Sequence, residues 1–306
     1  MIVITGAAGF IGWNLYKSLN HLQDILLVDD IKKFTGVFNP SHPVMNPDQF
    51  LEKIKNSSYA QTIEIVFHQG ACSDTLLRDP SYMMHHNFDY SHALFNLCVN
   101  NNIRLIYASS ASVYGDNEAI EGSNLAPKNL YANSKKIFDD YVDSFISSSK
   151  LDLPQIVGLR YFNVYGPYEH RKGRMASVAY QFKKQIEQNG SINIFKGSEN
   201  YLRDFIYIDD VVSVNQHFLT NNRISGIFNC GTGIAQPFSK IPQIMKEKYN
   251  FETNEIPLPE SIKDSYQKYT RADTSKLRNI GKYTSKFLSI EEGMRKYMSH
   301  WNREAQ

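Results

Sequence analysis

Met1-Ile-Val-Ile-Thr5 runs directly into Gly6-Ala-Ala-Gly9-Phe-Ile-Gly12. The first five residues are apolar or β-branched with no polar alternation, the pattern of a strand covered on both faces. Gly6 lets the chain turn tightly, Gly9 lets backbone approach a diphosphate, and Gly12 lets a helix pack close to the sheet. Trp13 to Leu19 continues as that helix, whose N-terminus suits an anion. Ile25-Leu-Leu-Val28 reads as a second strand ending at Asp29, where a carboxylate can accept hydrogen bonds from an adenosine ribose. The sequence predicts an α/β chain with a Rossmann-type doubly wound parallel sheet and a dinucleotide at its carboxyl edge. On charge, Asp29 favours NAD, because it would repel a 2'-phosphate. Lys32 and Lys33 either contact such a phosphate or lie in a solvated loop, so the residues themselves leave NAD and NADP open.

Outward from this unit, Glu64 to His68, Arg104 to Ser109 and Gln155 to Arg160 read as further central strands. Gln69-Gly-Ala-Cys-Ser73 comes off the first, with Cys72 as a small packing residue rather than a nucleophile. Pro80 to Asn100 is helical in pattern, with Asn87 a polar residue near its apolar face. His85 and His86 point about 100° apart on a helix and have no spaced acidic partner, so no metal site is expected. The Arg104 strand delivers Ser110 to the carboxyl end of the sheet. Leu130-Tyr-Ala-Asn-Ser-Lys135 opens another helix and places Tyr131 and Lys135 one turn apart. An ammonium beside a phenol is expected to lower its pKa from about 10, making Tyr131 usable as a base near neutral pH.

Residues 34–61 are irregular and polar, with one short helix expected near Asp48 to Asn56. After Tyr161 to Pro167 the chain becomes basic, Tyr168-Glu-His-Arg-Lys-Gly-Arg174, and then reads as a helix from Met175 to Gln188. Strands are expected at Ile192 to Phe195 and Tyr201 to Ile208, and an amphipathic segment at Ile290 to Trp301. This pattern predicts a smaller, interleaved α/β substrate domain, 168–204 plus 236–306, beside a dinucleotide domain, 1–167 plus 205–235.

The 306 residues are 42% hydrophobic and 21% charged, an ordinary globular composition. A net charge of +2 gives no reason to expect a nucleic-acid partner. Cys72, Cys98 and Cys230 are too far apart for a disulfide framework or a zinc site. The apolar N-terminus lacks a basic leader and reads as strand and turn rather than signal peptide. No apolar run approaches about 18 residues. A cytoplasmic protein with no membrane partner is expected.

Gly6-x-x-Gly9-x-x-Gly12, Ser110, Tyr131-x-x-x-Lys135, Arg160-Tyr-Phe-Asn-Val-Tyr-Gly-Pro167 and Arg203-Asp-Phe205 resemble the extended short-chain dehydrogenase/reductase superfamily of nucleotide-sugar enzymes, essentially end to end. Within it, five stretches resemble the ADP-L-glycero-D-manno-heptose 6-epimerase family, which makes the heptose donor for lipopolysaccharide inner core. They are His68-Gln-Gly-Ala-Cys-Ser73, Tyr82-Met-Met-His-His-Asn87, Arg171-Lys-Gly-Arg-Met-Ala-Ser-Val-Ala179, Phe195-Lys-Gly-Ser-Glu-Asn200 and Ser225-Gly-Ile-Phe-Asn-Cys-Gly-Thr-Gly233.

The resemblance implies C6 epimerisation of ADP-D-glycero-D-manno-heptose to its L-glycero epimer by transient oxidation, with tightly held NADP, NAD being the alternative. It implies Tyr131 and Lys172 as paired acid/base groups, Lys135 as the cofactor-binding partner of Tyr131, and Ser110 at the reacting oxygen. Around the cofactor it implies Gly6, Gly9, Phe10, Ile11 and Gly12, then Asp29, Asp30 and Lys33, then Gln69, Gly70, Ala71, Cys72, Ser73, Asn87 and Val164, with Tyr131, Lys135 and Lys172. Around the ADP-sugar it implies Ser110, Asn163, Arg174, Gln181, Phe195, Lys196, Gly197, Ser198, Arg203 and Tyr266. A homo-oligomer, pentameric in well-known members, is implied as well. Three positions depart from the family: Gly36 stands nearest to its lysine after the second strand, Arg174 replaces a common serine and Gln181 a common histidine.

Epimerising a carbon whose hydrogen is not acidic requires temporary oxidation, which a nicotinamide supplies. Acid/base groups on two sides then answer the stereochemical demand, and Lys172 comes from a loop some forty residues beyond Tyr131. Its alternative is a surface charge or diphosphate ligand. Arg203 suits a diphosphate clamp, since guanidinium is planar and does not deprotonate. A 4-epimerase of another nucleotide sugar would share the Tyr/Lys features without needing Lys172. A 4,6-dehydratase would want a carboxylate after Ser110, where Ala111 and Ser112 stand. A non-catalytic dinucleotide-binding scaffold would leave Ser110, Tyr131 and Lys135 without a common site.

Overall fold

The computed structural model describes residues 1–36, 38–117, 119, 124–149, 152–260 and 267–304. Strands β1 (Ile2–Thr5), β2 (Ile25–Val28), β3 (Val44–Met45), β4 (Ile65–His68), β5 (Arg104–Ser110) and β6 (Ile156–Tyr161) lead through β7 (Asn163–Tyr165), β8 (Ser191–Phe195) and β9 (Leu202–Tyr207) to β10 (Gly226–Cys230). Seven of these form one sheet in the order β10-β6-β5-β4-β1-β2-β3, with every neighbouring pair parallel. Every residue of β1, β2, β4 and β6 is buried, which is why their sequences show no polar alternation.

Alternate residues feed two apolar layers. Ile4, Phe67 and Ile106 join Trp13 of α1 (Phe10–Leu19) and Val211 of α8 (Ile208–Thr220) on one face. Val3, Val66 and Leu105 join Leu94 of α5 (Tyr90–Asn100) and Phe138 of α6 (Leu130–Ser148) on the other. The chain leaves β1 toward β2 and β3 on one side, then returns to build β4, β5, β6 and β10 on the other. This reversal opens a crevice between the carboxyl ends of β1 and β4, where open α/β sheets bind ligands.

The remaining strands form two small sheets. β9 pairs with β7 in parallel and with β11 (Ala235–Pro237) antiparallel, and β8 pairs with β12 (Glu252–Ile256) in parallel. β7 follows β6 after one residue, so the second sheet begins where the first ends.

Two helices differ from the sequence reading. The stretch from Pro80 to Asn100 is interrupted at His85–Asp89 by a π-turn with Asn87 at its centre. The helix expected from Met175 is α7 (Val178–Asn189), because Ser177 caps it and accepts a hydrogen bond from the Tyr180 backbone N–H at 3.3 Å. The residues before it, Glu169–Met175, form 3₁₀ turns broken at Gly173, whose φ is +53°. Among the described residues no helix is long and apolar enough to cross a membrane.

Candidate active site

The glycine turn joins β1 to α1 with almost no clearance. A Cβ on Gly6 would lie 2.5 Å from the Gly70 Cα, and one on Gly12 would lie 2.2 Å from the Gly6 carbonyl oxygen. Gly6 also takes φ +66°, a conformation glycine adopts at no steric cost. Gly9 stands at the N-cap of α1 with no side-chain cap, so the first-turn N–H groups of Phe10, Ile11 and Gly12 face outward as donors. No acidic side chain occupies that turn. The donor set fits the diphosphate of a dinucleotide.

Asp29 follows β2 beside this turn and is buried. Its Oδ2 accepts from the Ala8 N–H at 3.1 Å, and its Oδ1 accepts from the Asp30 N–H and the Lys33 Nζ, both at 2.8 Å. A carboxylate has further lone pairs for a ribose hydroxyl. Asp30 instead caps the following turn, accepting from the Lys32 N–H at 3.0 Å.

On the other wall of the crevice, Gly70 donates to the Thr5 hydroxyl at 3.3 Å. The Gln69 amide donates to Asn215 at 3.3 Å and accepts from the Tyr161 hydroxyl at 3.0 Å. Asn87 is wholly buried at the π-turn. It accepts from the Cys72 N–H at 2.7 Å and donates to the Cys72 carbonyl at 2.9 Å and to Ser134 at 3.0 Å, fixing the Gln69 to Ser73 segment against α6.

Ser110 ends β5, and its Oγ accepts from the Ser112 N–H at 3.2 Å and the Ser112 hydroxyl at 2.9 Å. Asn129 caps α6, accepting from the Ala132 N–H at 2.8 Å, and so sets Tyr131 in the first turn. Burial pushes the Tyr131 phenol above its ordinary pKa, and the Ser110 hydroxyl beside it works in the opposite direction without winning. The expected lowering by Lys135 is therefore corrected. The Lys135 ammonium donates to the Ala108 carbonyl at 2.8 Å, and burial lowers its own pKa to about 8 despite the opposing charge of Asp139.

Asp139, one turn further along the same face, was missed by the sequence reading. Its carboxylate accepts from the Tyr107 hydroxyl at 3.0 Å, the Ser109 hydroxyl at 2.9 Å and the Arg160 Nε at 2.8 Å. Extending the spacing of Tyr131 and Lys135 by four more residues would have found it.

Lys172 lies on the Glu169–Met175 turn, partly buried, with Nζ 5.4 Å from the centre of the Phe10 ring. Burial lowers its pKa and the Glu169 charge opposes that. Neighbouring residues tie this loop across the sheet. Arg171 donates to the Lys33 carbonyl and, at 3.1 Å, to the Thr35 carbonyl, while Arg174 pairs with Asp74 at 2.6 Å. Gln181 donates to the Gly173 carbonyl at 2.8 Å. The loop thus crosses the carboxyl ends of the first strands, and Lys172 is brought to the glycine turn.

Asn163 and Val164 lie on β7, and Asn163 Oδ1 accepts from the Thr270 hydroxyl at 3.4 Å. Phe195 closes β8, the Lys196 N–H donates to the Ile256 carbonyl at 2.8 Å, Gly197 takes φ +80°, and Ser198 is buried. The Arg203 guanidinium is buried on β9, 5.2 Å from the Phe238 ring, and donates to the Leu202 carbonyl at 3.0 Å and to the Gln267 carbonyl. Tyr266 lies outside the described residues. No group of three or more potential metal ligands exists among the described residues.

Residues 2–231 match the NAD dependent epimerase/dehydratase family. The chain is 46% identical over 313 aligned residues to the ADP-L-glycero-D-manno-heptose-6-epimerase of Brachyspira hyodysenteriae, covering 97% of this chain and 96% of that one. The crystal structure of the Helicobacter pylori enzyme of the same name superposes with a TM-score of 0.82 at 28% identity, covering 98% and 96% of the two chains. A UDP-N-acetylglucosamine 4-epimerase from Methanobrevibacter ruminantium superposes with a TM-score of 0.84 at 26% identity, covering 99% and 98%.

These comparisons correct the expectation of an NADP-dependent enzyme. The family is described as NAD dependent, and a Thermus thermophilus UDP-glucose 4-epimerase of the same fold, 23% identical with a TM-score of 0.77 over 98% of both chains, was solved with NAD. Of the two lysines that could have met a 2'-phosphate, Lys33 is held on Asp29. With its matching residues, its relatives and its crevice, the chain belongs to the NAD dependent epimerase/dehydratase family.

Proposed function

We propose that this chain interconverts the C6 epimers of ADP-glycero-D-manno-heptose. The observation that supports this reading is that two titratable groups come from separate elements, Tyr131 beside Ser110 at the end of β5 and Lys172 over Phe10 at the start of α1. The similarity to the B. hyodysenteriae epimerase supports the choice of sugar.

NAD, when bound, supplies the oxidant that accepts the C6 hydride and the reductant that returns it. Phe10, Ile11 and Gly12 would hold its diphosphate, Asp29 its adenosine ribose, and Lys135 its nicotinamide side. Tyr131 and Lys172 would approach the reacting carbon from separate elements. One removes the C6 hydroxyl proton of one epimer, the other protonates the oxygen re-formed in its partner, and the roles exchange in reverse. Hydride and proton both return, so no net redox change accumulates. Ser110 holds the oxygen between them. Arg203, with Asn163 and the Phe195 to Ser198 turn, would hold the ADP-sugar.

The reading extends to a homo-oligomer, pentameric as in the family, a cytoplasmic setting in lipopolysaccharide core synthesis, and a division into a dinucleotide unit of 1–167 plus 205–235 and a substrate unit of 168–204 plus 236–306. Purified protein, without added cofactor, is incubated with ADP-D-glycero-β-D-manno-heptose while NMR follows the C6 epimers and the released dinucleotide is identified. Conversion with NAD recovered is expected. A folded sample supplied with NAD that leaves the heptose unchanged but converts a UDP-hexose at C4 would overturn the choice of sugar.

A further inference from the structure

Glu169 is 1% exposed, and the described mechanism does not use it. Its two oxygens receive four hydrogen bonds. Oε1 accepts from the Gly166 N–H at 3.3 Å, the Ser177 hydroxyl at 2.7 Å and the Tyr297 hydroxyl at 2.9 Å, and Oε2 accepts from the Ser177 N–H at 2.5 Å. Glu169 opens the loop that carries Lys172, and Ser177 follows that loop as the cap of α7. One buried carboxylate therefore joins both feet of the loop. The third partner, Tyr297, is itself buried on the C-terminal helix Ile290–Glu304, more than a hundred residues away in sequence.

Placing a carboxylate in this position is costly unless it is fully hydrogen-bonded. A loop could be closed with an apolar residue, so the chemistry of the contact calls for a reason. Lys172, three residues along on the loop whose two feet the carboxylate joins, supplies one: the Glu169 charge opposes the loss of its proton on burial. We propose that Glu169 is the positioning residue for Lys172, stapling the two feet of its loop together and anchoring them through Tyr297 to the C-terminal helix. This rests on the reading of Lys172 as one of the two acid/base groups.

Three variants test it: Glu169→Gln, Tyr297→Phe and Lys172→Met. Each is assayed by tryptic cleavage at Arg171, Lys172 or Arg174, by thermal melting, and by single-turnover reduction of the bound dinucleotide with each C6 epimer separately. In Lys172→Met the Arg171 and Arg174 sites remain for trypsin. Loss of Lys172 should block reduction by the epimer whose proton it takes and spare the other. Glu169→Gln places an amide N–H₂ against the Ser177 donors. It should reproduce the same epimer asymmetry and speed cleavage of the loop about ten-fold, the effect of losing a hydrogen bond to a charged group. Tyr297→Phe removes one bond and should move both readouts in the same direction by less, which keeps the test decisive if Glu169→Gln does not fold.

A folded Glu169→Gln or Tyr297→Phe protein with wild-type loop cleavage, and equal reduction by both epimers, would overturn the staple. If Lys172→Met reacts equally with both epimers, the acid/base reading of Lys172 fails instead, and the staple is then judged on loop cleavage alone.

Discussion

Tyr131 and Lys135 stand one turn apart on α6, but each answers to different neighbours. Burial raises the phenol and Ser110 lowers it, whereas the ammonium is held by the Ala108 carbonyl and favoured by Asp139. Tyr131→Phe should lower kcat by about 10²- to 10⁴-fold, the range for a lost acid/base group, with its melting temperature retained. Lys135 is charged below its pKa of about 8. Activity that depends on the ammonium should therefore fall as pH rises through that value, and Lys135→Arg should remove this limb from the pH profile of kcat. Asp139 lies behind both, paired with Arg160 in the interior. Removing one partner of such a pair leaves an uncompensated buried charge, so Asp139→Ala should cost about 3–5 kcal/mol in urea unfolding.

The π-turn at His85–Asp89 is a single-turn departure of the kind that concentrates at functional sites. Here it turns Asn87 toward the loop after β4, and both backbone polar groups of Cys72 depend on the amide. Asn87→Ala leaves them unpaired and should destabilise the protein by about 1–3 kcal/mol or more. It should also weaken dinucleotide retention, read by gel filtration and absorbance. The α1 turn fails differently. Gly12→Ala drives a methyl into the Gly6 carbonyl, and the strain should show as a lower melting temperature with dinucleotide lost together.

For the whole molecule, Asp210 in the first turn of α8 is a largely buried carboxyl that ties stability to pH. Burial raises its pKa from 3.8 to about 6, although the Leu288 N–H donates to it at 2.9 Å. The native state binds its proton more tightly than the unfolded chain, so this contribution to stability is complete below the unfolded value. It is lost as pH rises through the folded value near 6. Unfolding measured between pH 4 and pH 7 should show a decline of about 2 kcal/mol or less attributable to this group, solvent screening of a partly exposed carboxyl included. Asp210→Asn, which keeps an acceptor for Leu288, should flatten it.

The first thirty residues carry their reading locally. β-branched runs covered on both faces, glycines at fixed intervals and an acid after the second strand depend on contacts within one β-α-β unit, so the sheet and the dinucleotide crevice were legible in sequence. The Tyr131 and Lys135 spacing was legible for the same reason, since one helical turn fixes it. Tertiary contacts decided what those groups experience. Lys135 is turned onto the Ala108 carbonyl, and the phenol is desolvated by walls that come from elsewhere in the chain. The Lys172 loop depends on tertiary structure most of all. Arg171 reaches residues 33 and 35, Arg174 reaches Asp74, and Glu169 reaches Tyr297. No periodicity spans such separations, because these bonds form only after the sheet has brought their partners together.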